Sequence, residues 1–249
     1  MKPLKILICS IFRDSEKNIP KYYNQLMDLV GGTENVSFYY SAYENDSLDD
    51  TYSSLLSKDF SSFIDYSIKS ETLLTKKYGS STDKQRVINL ANARNKATFS
   101  EDFYLNCDYL LFIESDVEYN SNILNNLISF ATEYDADIVS PACIASGPTK
   151  LVCRDIWATR RTSGEEWGQF FPNCSTRQHD IYYSTFGGFC LYKMGPFIED
   201  KIVWSAFNKR LSKYDCDTAV ICEEFHRLKR HRIFIMYDNI IKHHKKGFI

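Results

Sequence analysis

The 249-residue chain has little glycine and proline, 10 and 6 residues, and no low-complexity tract. With 44% of residues hydrophobic and 25% charged, its composition excludes wholesale disorder. Long apolar runs are also lacking. Nothing approaches the ~20 apolar residues of a membrane span. The opening MKPLKILICSIFRD meets Arg13 and Asp14 before a secretory h-region can form. A cytoplasmic protein is expected, and the N-x-S/T triplets headed by Asn35, Asn45 and Asn173 are read as chance matches. The eight cysteines, at 9, 107, 143, 153, 174, 190, 216 and 222, include no C-x-x-C pair. That argues against a zinc cluster or a redox dithiol and for small core residues. Neither sign of charge dominates: the formal net charge is −2, which argues against nucleic acid as a partner. FHRLKRHRIF (225–234) and KHHKK (242–246) are locally basic. They read either as a solvated helix face or as neighbours of a phosphate.

What the chain does have is aromatic residues, 17 Tyr and 17 Phe, and an alternation of apolar runs with amphipathic segments. KILICSIF (5–12) predicts a buried parallel strand because the run is short, continuous and rich in Ile and Leu. A helix follows from Asn18 and Pro20 to Gly31–Gly32, then a strand VSFYYSAY (36–43) and a helix capped near Ser47 or Asp49. Residues 57–84 are undecided. Beyond them the pattern gives a helix over 85–99, a strand over 108–115, a helix over 121–133 and a strand ADIVSPA. Segment 146–181 reads as long loops. IYYSTFGGFCLYK then gives a hairpin or a strand broken at Gly-Gly, followed by a helix near 217–231 and a strand RIFIMY (232–237). The alternation predicts an α/β fold, a Rossmann-like, mainly parallel central sheet with helices on both faces and a loop-rich C-terminal region.

LLFIESDVEYN (110–120) ends a buried strand in three carboxylates. Ligands of open α/β sheets bind outside the carboxyl ends of the strands. Glu114 and Asp116, two residues apart, point to the same side there. Two converging carboxylates repel unless a cation lies between them, and Mg²⁺ or Mn²⁺ suits one or two carboxylates plus phosphate oxygens. The other reading is a hydrated strand end. On the helix QRVINLANARNKATF, Arg86 and Arg94 lie about 80° apart around the axis. Arg94 sits among Ala91, Ala93 and Ala97, so it faces the sheet. A guanidinium held there needs an anionic partner, and a diphosphate fits its planar fork.

In order along the chain come KILICSIFRDSE (5–16), YENDSLDDT (43–51), R-x-x-x-L-A-x-A-R-N-K-A (86–97), ESD (114–116), RDIWATR (154–160), GGF (187–189), EEF (223–225) and KHH (242–244). Together they resemble nucleotide-sugar glycosyltransferases of the GT-A fold, above all fungal capsule-associated α-1,3-mannosyltransferases and related viral and microbial enzymes. The resemblance implies one GT-A domain over 1–249, with a nucleotide-binding half (1–119) and an acceptor-binding half (120–249). It implies that Ser10, Arg13, Glu44 and Asp46 line the nucleoside pocket, that Arg86 and Arg94 approach ribose or diphosphate, and that Glu114 faces ribose. Asp116 would bind Mn²⁺ (or Mg²⁺) with a C-terminal histidine, His243 rather than His244. A neutral imidazole ligand favours manganese. Gly187 and Gly188 would let backbone approach a sugar, although a plain turn or bulge also accounts for them. Asp155, Trp157 and Arg160 would lie where donor sugar and acceptor meet, with Trp157 either stacking on a pyranose or packing in the core.

The implied activity is transfer of a hexose from a UDP- or GDP-sugar to a glycan or other hydroxyl acceptor, with retention slightly favoured. An inverting enzyme would need a carboxylate base. Glu223 and Glu224 diverge by ~100° on their helix, so at most one faces the reaction centre, and Glu224 matches the usual base position. Acids also belong in a helix's first turn for its dipole alone. A sugar nucleotidyltransferase would need a Gly-rich loop after the first strand, and ICSIFRDSEKN has no glycine. A non-catalytic carbohydrate-binding protein on the same fold is the remaining alternative.

Overall fold

In the computed structural model, which describes residues 3–78, 80–146, 151–153, 155–163 and 178–243, strand sequences divide their side chains between two cores. Along β1 (Leu4–Phe12), Ile6 and Ile8 enter one core while Leu7 and Cys9 enter the other. This period-two alternation, apolar on both sides, marks a strand covered on both faces. Helix α1 (Ile19–Gly31) carries proline in its first turn, and β2 (Val36–Asn45) and α2 (Thr51–Leu56) follow. The undecided stretch 57–84 contains β3 (Asp65–Glu71), which pairs in parallel with β2. Its polar sequence, DYSIKSE, hid it: an edge strand needs only Ile68 to pack inward.

Helix α3 (Lys84–Phe99) starts where the Asp83 carboxylate accepts from the Gln85 and Arg86 amides. A short 3₁₀ turn (Asp102–Asn106), β4 (Tyr109–Ile113), β5 (Val117–Glu118), α4 (Ile123–Glu133), β6 (Ile138–Ser146) and β7 (Leu151–Cys153) come next. Then come β8 (His179–Ile181), β9 (Phe189–Lys193), α5 (Gly195–Glu199), β10 (Phe207–Asn208), β11 (Lys213–Tyr214), α6 (Asp217–Arg227) and β12 (Ile233–His243). The principal sheet runs β3-β2-β1-β4-β9-β6-β12-β5, with β7 added on β6 and β8 on β12, and β10 pairs β11 separately. Helices α1, α2 and α4 cover one face, and α3, α5 and α6 the other.

The sheet is mixed. Strands β3, β2, β1 and β4 are parallel, and so are β6 and β12, but β9 runs antiparallel between β4 and β6. Of the two sequence expectations for IYYSTFGGFCLYK, the hairpin is corrected and the break at Gly187–Gly188 stands: β8 pairs with β12, while β9, which starts directly after the glycines, pairs with β4 and β6. The glycines turn the chain between two places in the sheet, both at positive φ, +67° and +86°. β12 also runs further than RIFIMY. After a register shift between Met236 and Ile240, it continues beside β6 to the site. Asn239 in that irregularity accepts from Asn126 of α4 at 2.8 Å. No described helix is long and apolar enough to cross a membrane.

Candidate active site

Two strand pairings bring the acidic motif its neighbours. Immediately after Asp116, β5 lies antiparallel to the end of β12, with Val117 opposite His243. On the other side the Glu114 amide donates to the Gly188 carbonyl at 2.8 Å. His243 Nδ1 lies 3.4 Å from Asp116 Oδ2, and its Nε2 lies 3.6 Å from Glu114 Oε2. Glu114, Asp116 and His243 each offer a ligand atom, all within 4.8 Å of one another. Two carboxylates and one imidazole form a donor set that could hold a divalent metal ion. His244 lies outside the described residues.

The cluster opens on a cleft of about 590 Å³. Arg13 and Asp14 from the end of β1, Arg86 and Asn89 from α3, and Lys77 line it together with Glu114 and Asp116. A second hollow of about 520 Å³ adjoins it and is lined by Glu44, Asp46, Asp49 and Glu71, with Arg13 and Lys77 bordering both. The segment 73–77 separates them. Asp46, at φ +57°, accepts from the amides of Leu73, Leu74 and Thr75. Burial works against its ionisation, but hydrogen bonds from Thr75, Asn45 and Leu73 hold its carboxyl far below the usual range. Arg13 ties the same segment by donating to the Thr75 and Lys76 carbonyls. Lys77 pairs with Asp14 at 2.6 Å.

A model of the family described as cryptococcal mannosyltransferase 1 matches residues 5–215. The chain belongs to this family. No curated protein sequence matches it significantly. Among solved structures it is similar to S. aureus TarS 1–349 in complex with UDP-GlcNAc, at 14% identity and TM-score 0.58, covering 99% of this chain and 60% of that one. It is also similar to the mannosyltransferase PcManGT from Pyrobaculum calidifontis in complex with GDP-Man and Mn²⁺, at 11% identity and TM-score 0.56, covering 97% and 57%. A mycobacterial protein aligns at 14% identity and TM-score 0.53, covering 99% and 69%. The fold is GT-A. The chain spans about 60% of the length of TarS 1–349.

Several residues expected at the site of this mannosyltransferase-family chain sit elsewhere. Ser10 is fully buried, with its hydroxyl 2.6 Å from that of Tyr22, and does not border the cleft. Its side chain falls on the α1 side of β1, one residue out of phase with the end of the strand. Glu44 borders the second hollow but is itself buried, accepting from the Ser47 amide and the Ser70 hydroxyl. Arg94 is 2% exposed and cannot reach a diphosphate. Its Nε donates to Asp217 at 2.7 Å and an amino group to Glu114 at 3.1 Å. Burial alone would favour a neutral guanidine, but the two carboxylates outweigh it and keep Arg94 charged. Arg160 is likewise internal, in a bidentate pair with Asp215 at 2.8 and 2.6 Å. Trp157 packs against the α3–α6 core.

Asp155 is electrostatically coupled to Glu114 and His243. At φ +64°, it accepts from the Gly187 amide at 2.9 Å. Burial of its carboxyl and the nearby Glu114 push its pKa up to about 6, against the Gly187 amide, His243 and Arg94. Asp14 and Asp46, which line the two hollows, are likewise at positive φ, +48° and +57°. Glu223 and Glu224 have other commitments. Glu223 accepts from Arg210 and from the Tyr183 hydroxyl, and Glu224 from Lys209 at 3.0 Å and Arg227 at 2.8 Å. Burial raises both pKa values, but these cations and donors outweigh it and hold both carboxyls below the usual range. Sequence reasoning missed Asp14, Asn89 and Lys77. Asn89 stands one helical turn after Arg86, a spacing that could have found it; Lys77 fell in the undecided stretch.

Proposed function

We propose that the protein is a metal-dependent glycosyltransferase that moves a hexose from a nucleoside-diphosphate sugar to a hydroxyl acceptor. The observation that carries this is the convergence of Glu114, Asp116 and His243 at the mouth of a cleft lined by Arg13, Arg86 and Lys77. Carboxylates and imidazole on one side and fixed cations on the other match a divalent ion and a diphosphate together. Asp116 and His243 would hold the ion, Mn²⁺ in preference to Mg²⁺, with Glu114 beside them. When bound, the ion supplies Lewis-acid stabilisation of charge on the departing nucleoside diphosphate. Arg86, Lys77 and Arg13 add positive potential aimed at the same leaving group, in place before reaction begins. The donor nucleoside would occupy the end of β1 and the hollow beside Asp46. GDP-mannose is the donor favoured by the family's description and by the ligand of PcManGT. The UDP-GlcNAc complex of TarS keeps a UDP-sugar as the competing choice.

Retention is the stereochemistry we favour. Glu224 is held between Lys209 and Arg227 with a depressed pKa, the opposite of what a general base needs. Of the three acids expected to act in catalysis, Asp155 has the closest electrostatic link to the Glu114–His243 cluster. The deciding experiment is a thermal-shift panel of UDP, GDP, CMP and their sugars, each with Mn²⁺. One nucleotide should stand clear, and only in the presence of metal; a flat response would refute the proposal.

A further inference from the structure

We infer that Asp217, acting through Arg94, sets the orientation of Glu114 and is thus a positioning residue of the proposed metal and donor site. The inference rests on that proposal for its consequence in metal binding, but its geometry stands alone. Arg94 projects from α3 over the adjoining rings of Phe112 and Phe186, each 4.5 Å from its Cζ and 6.1 Å from one another. Packing against these rings confines the guanidinium, and its rigid planar fork then sets where its N–H groups can point. Nε meets Asp217 Oδ2 at 2.7 Å, and an amino group meets Glu114 Oε1 at 3.1 Å. Asp217 is 3% exposed and opens α6, where the helix N-terminus favours its negative charge.

One oxygen of Glu114 is thus drawn inward, and the other, Oε2, is left facing His243 Nε2 at 3.6 Å. The Arg94 contact holds Oε1 on the inner side of the glutamate, away from the cleft. Asp217 therefore reaches the cluster from α6 through one guanidinium, 103 residues along the chain from Glu114. A lysine would keep the charge but not the planar fork.

The test uses the full chain with Asp217→Asn, Arg94→Lys and the double variant Arg94→Met/Asp217→Asn. The double variant removes both charges, so neither is left buried and unpaired. Mn²⁺ affinity is read by electron paramagnetic resonance, thermal stability is measured without metal, and Glu114 is located in metal-free crystals. Each variant should bind Mn²⁺ about 10- to 100-fold more weakly, the usual range for an outer-shell partner of a metal ligand. In crystals Glu114 should be turned from its wild-type position. The double variant should recover melting temperature relative to Asp217→Asn without recovering affinity. Wild-type Mn²⁺ affinity and an unmoved Glu114 alongside lowered stability would overturn the inference and leave a purely structural ion pair. Should the wild-type chain itself fail to bind Mn²⁺, the metal assignment falls, and an unmoved Glu114 in the metal-free variants would overturn the positioning role separately.

Discussion

Gly188→Ala is the substitution whose cost can be worked from the coordinates. Gly188 has φ +86°, and a Cβ there would lie 2.7 Å from Val117 Cγ1 and 3.3 Å from Glu114 Oε2. The left-handed backbone costs an L-residue roughly 1–2 kcal/mol. Val117 is β-branched and 3% exposed, so it cannot rotate out of the way, and overpacking of this kind costs about 1–3 kcal/mol. The sum, about 2–5 kcal/mol, corresponds to a melting-temperature drop of roughly 4–20 °C for a chain of this size. Urea unfolding followed by circular dichroism without metal measures it. Gly195→Ala is the control. It opens α5, and its Cβ would find only the flexible Glu199 side chain, 3.7 Å away. Equal stability for wild type and Gly188→Ala, within about 0.5 kcal/mol, would refute the steric account. Because the new methyl group also presses on Glu114 Oε2, Mn²⁺ affinity should fall with it.

Asp116→Ala should abolish metal-dependent donor binding and leave the melting temperature of the metal-free protein nearly unchanged; calorimetry with GDP-mannose and Mn²⁺ that gives wild-type affinity would defeat the metal assignment. Glu224→Gln should slow transfer less than 10-fold, whereas a loss of 10²-fold or more in steady-state rate would support an inverting base. Asp155 has a folded-state pKa of about 6, above the roughly 3.9 of an unfolded aspartate, so the folded chain retains a proton that the unfolded chain has lost between those values. This contribution is complete below about pH 3.9 and is lost as pH rises through 6. Asp155→Asn should therefore flatten the decline of metal-free stability between pH 4 and 7, and an unchanged slope in urea midpoints across that window would count against it.

The strands and helices of the first half were legible because each is apolar with a clear period and bounded by turn residues. What was not legible follows from physics that acts beyond the segment. β3 lies at the edge of the sheet, so tertiary pairing supports a strand that its own polar sequence does not announce. The antiparallel β9 was readable as a strand but not in direction, since its neighbours are β4 and β6, far away in sequence. Among site residues, Glu114 and Asp116 were visible from the strand end they occupy. Arg94 was correctly placed against the sheet, yet its anionic partner proved to be the protein's own, Asp217 and Glu114. Sequence shows that a buried guanidinium needs a carboxylate or phosphate; it does not show which one arrives.

The charge balance of the site ties these observations together. Glu114 and Asp217 both pair with the Arg94 guanidinium, Asp116 lies beside the His243 imidazole, and Asp155 is electrostatically coupled to Glu114 and His243. Burial first, and then Glu114, raise the Asp155 pKa, against the Gly187 amide, His243 and Arg94. A divalent ion beside Asp116 and His243 would add positive potential there and bring the Asp155 pKa down towards the ordinary carboxylate range. Mn²⁺ is paramagnetic and would broaden the signal, so diamagnetic Mg²⁺ is the ion for observing it. Titration of the Asp155 carboxyl by carbon-13 resonance should show its pKa falling by at least one unit on saturation with Mg²⁺. Asp116→Ala should show no such fall. An equal fall in both would place the cation somewhere other than the strand end at which the two acids of the motif converge.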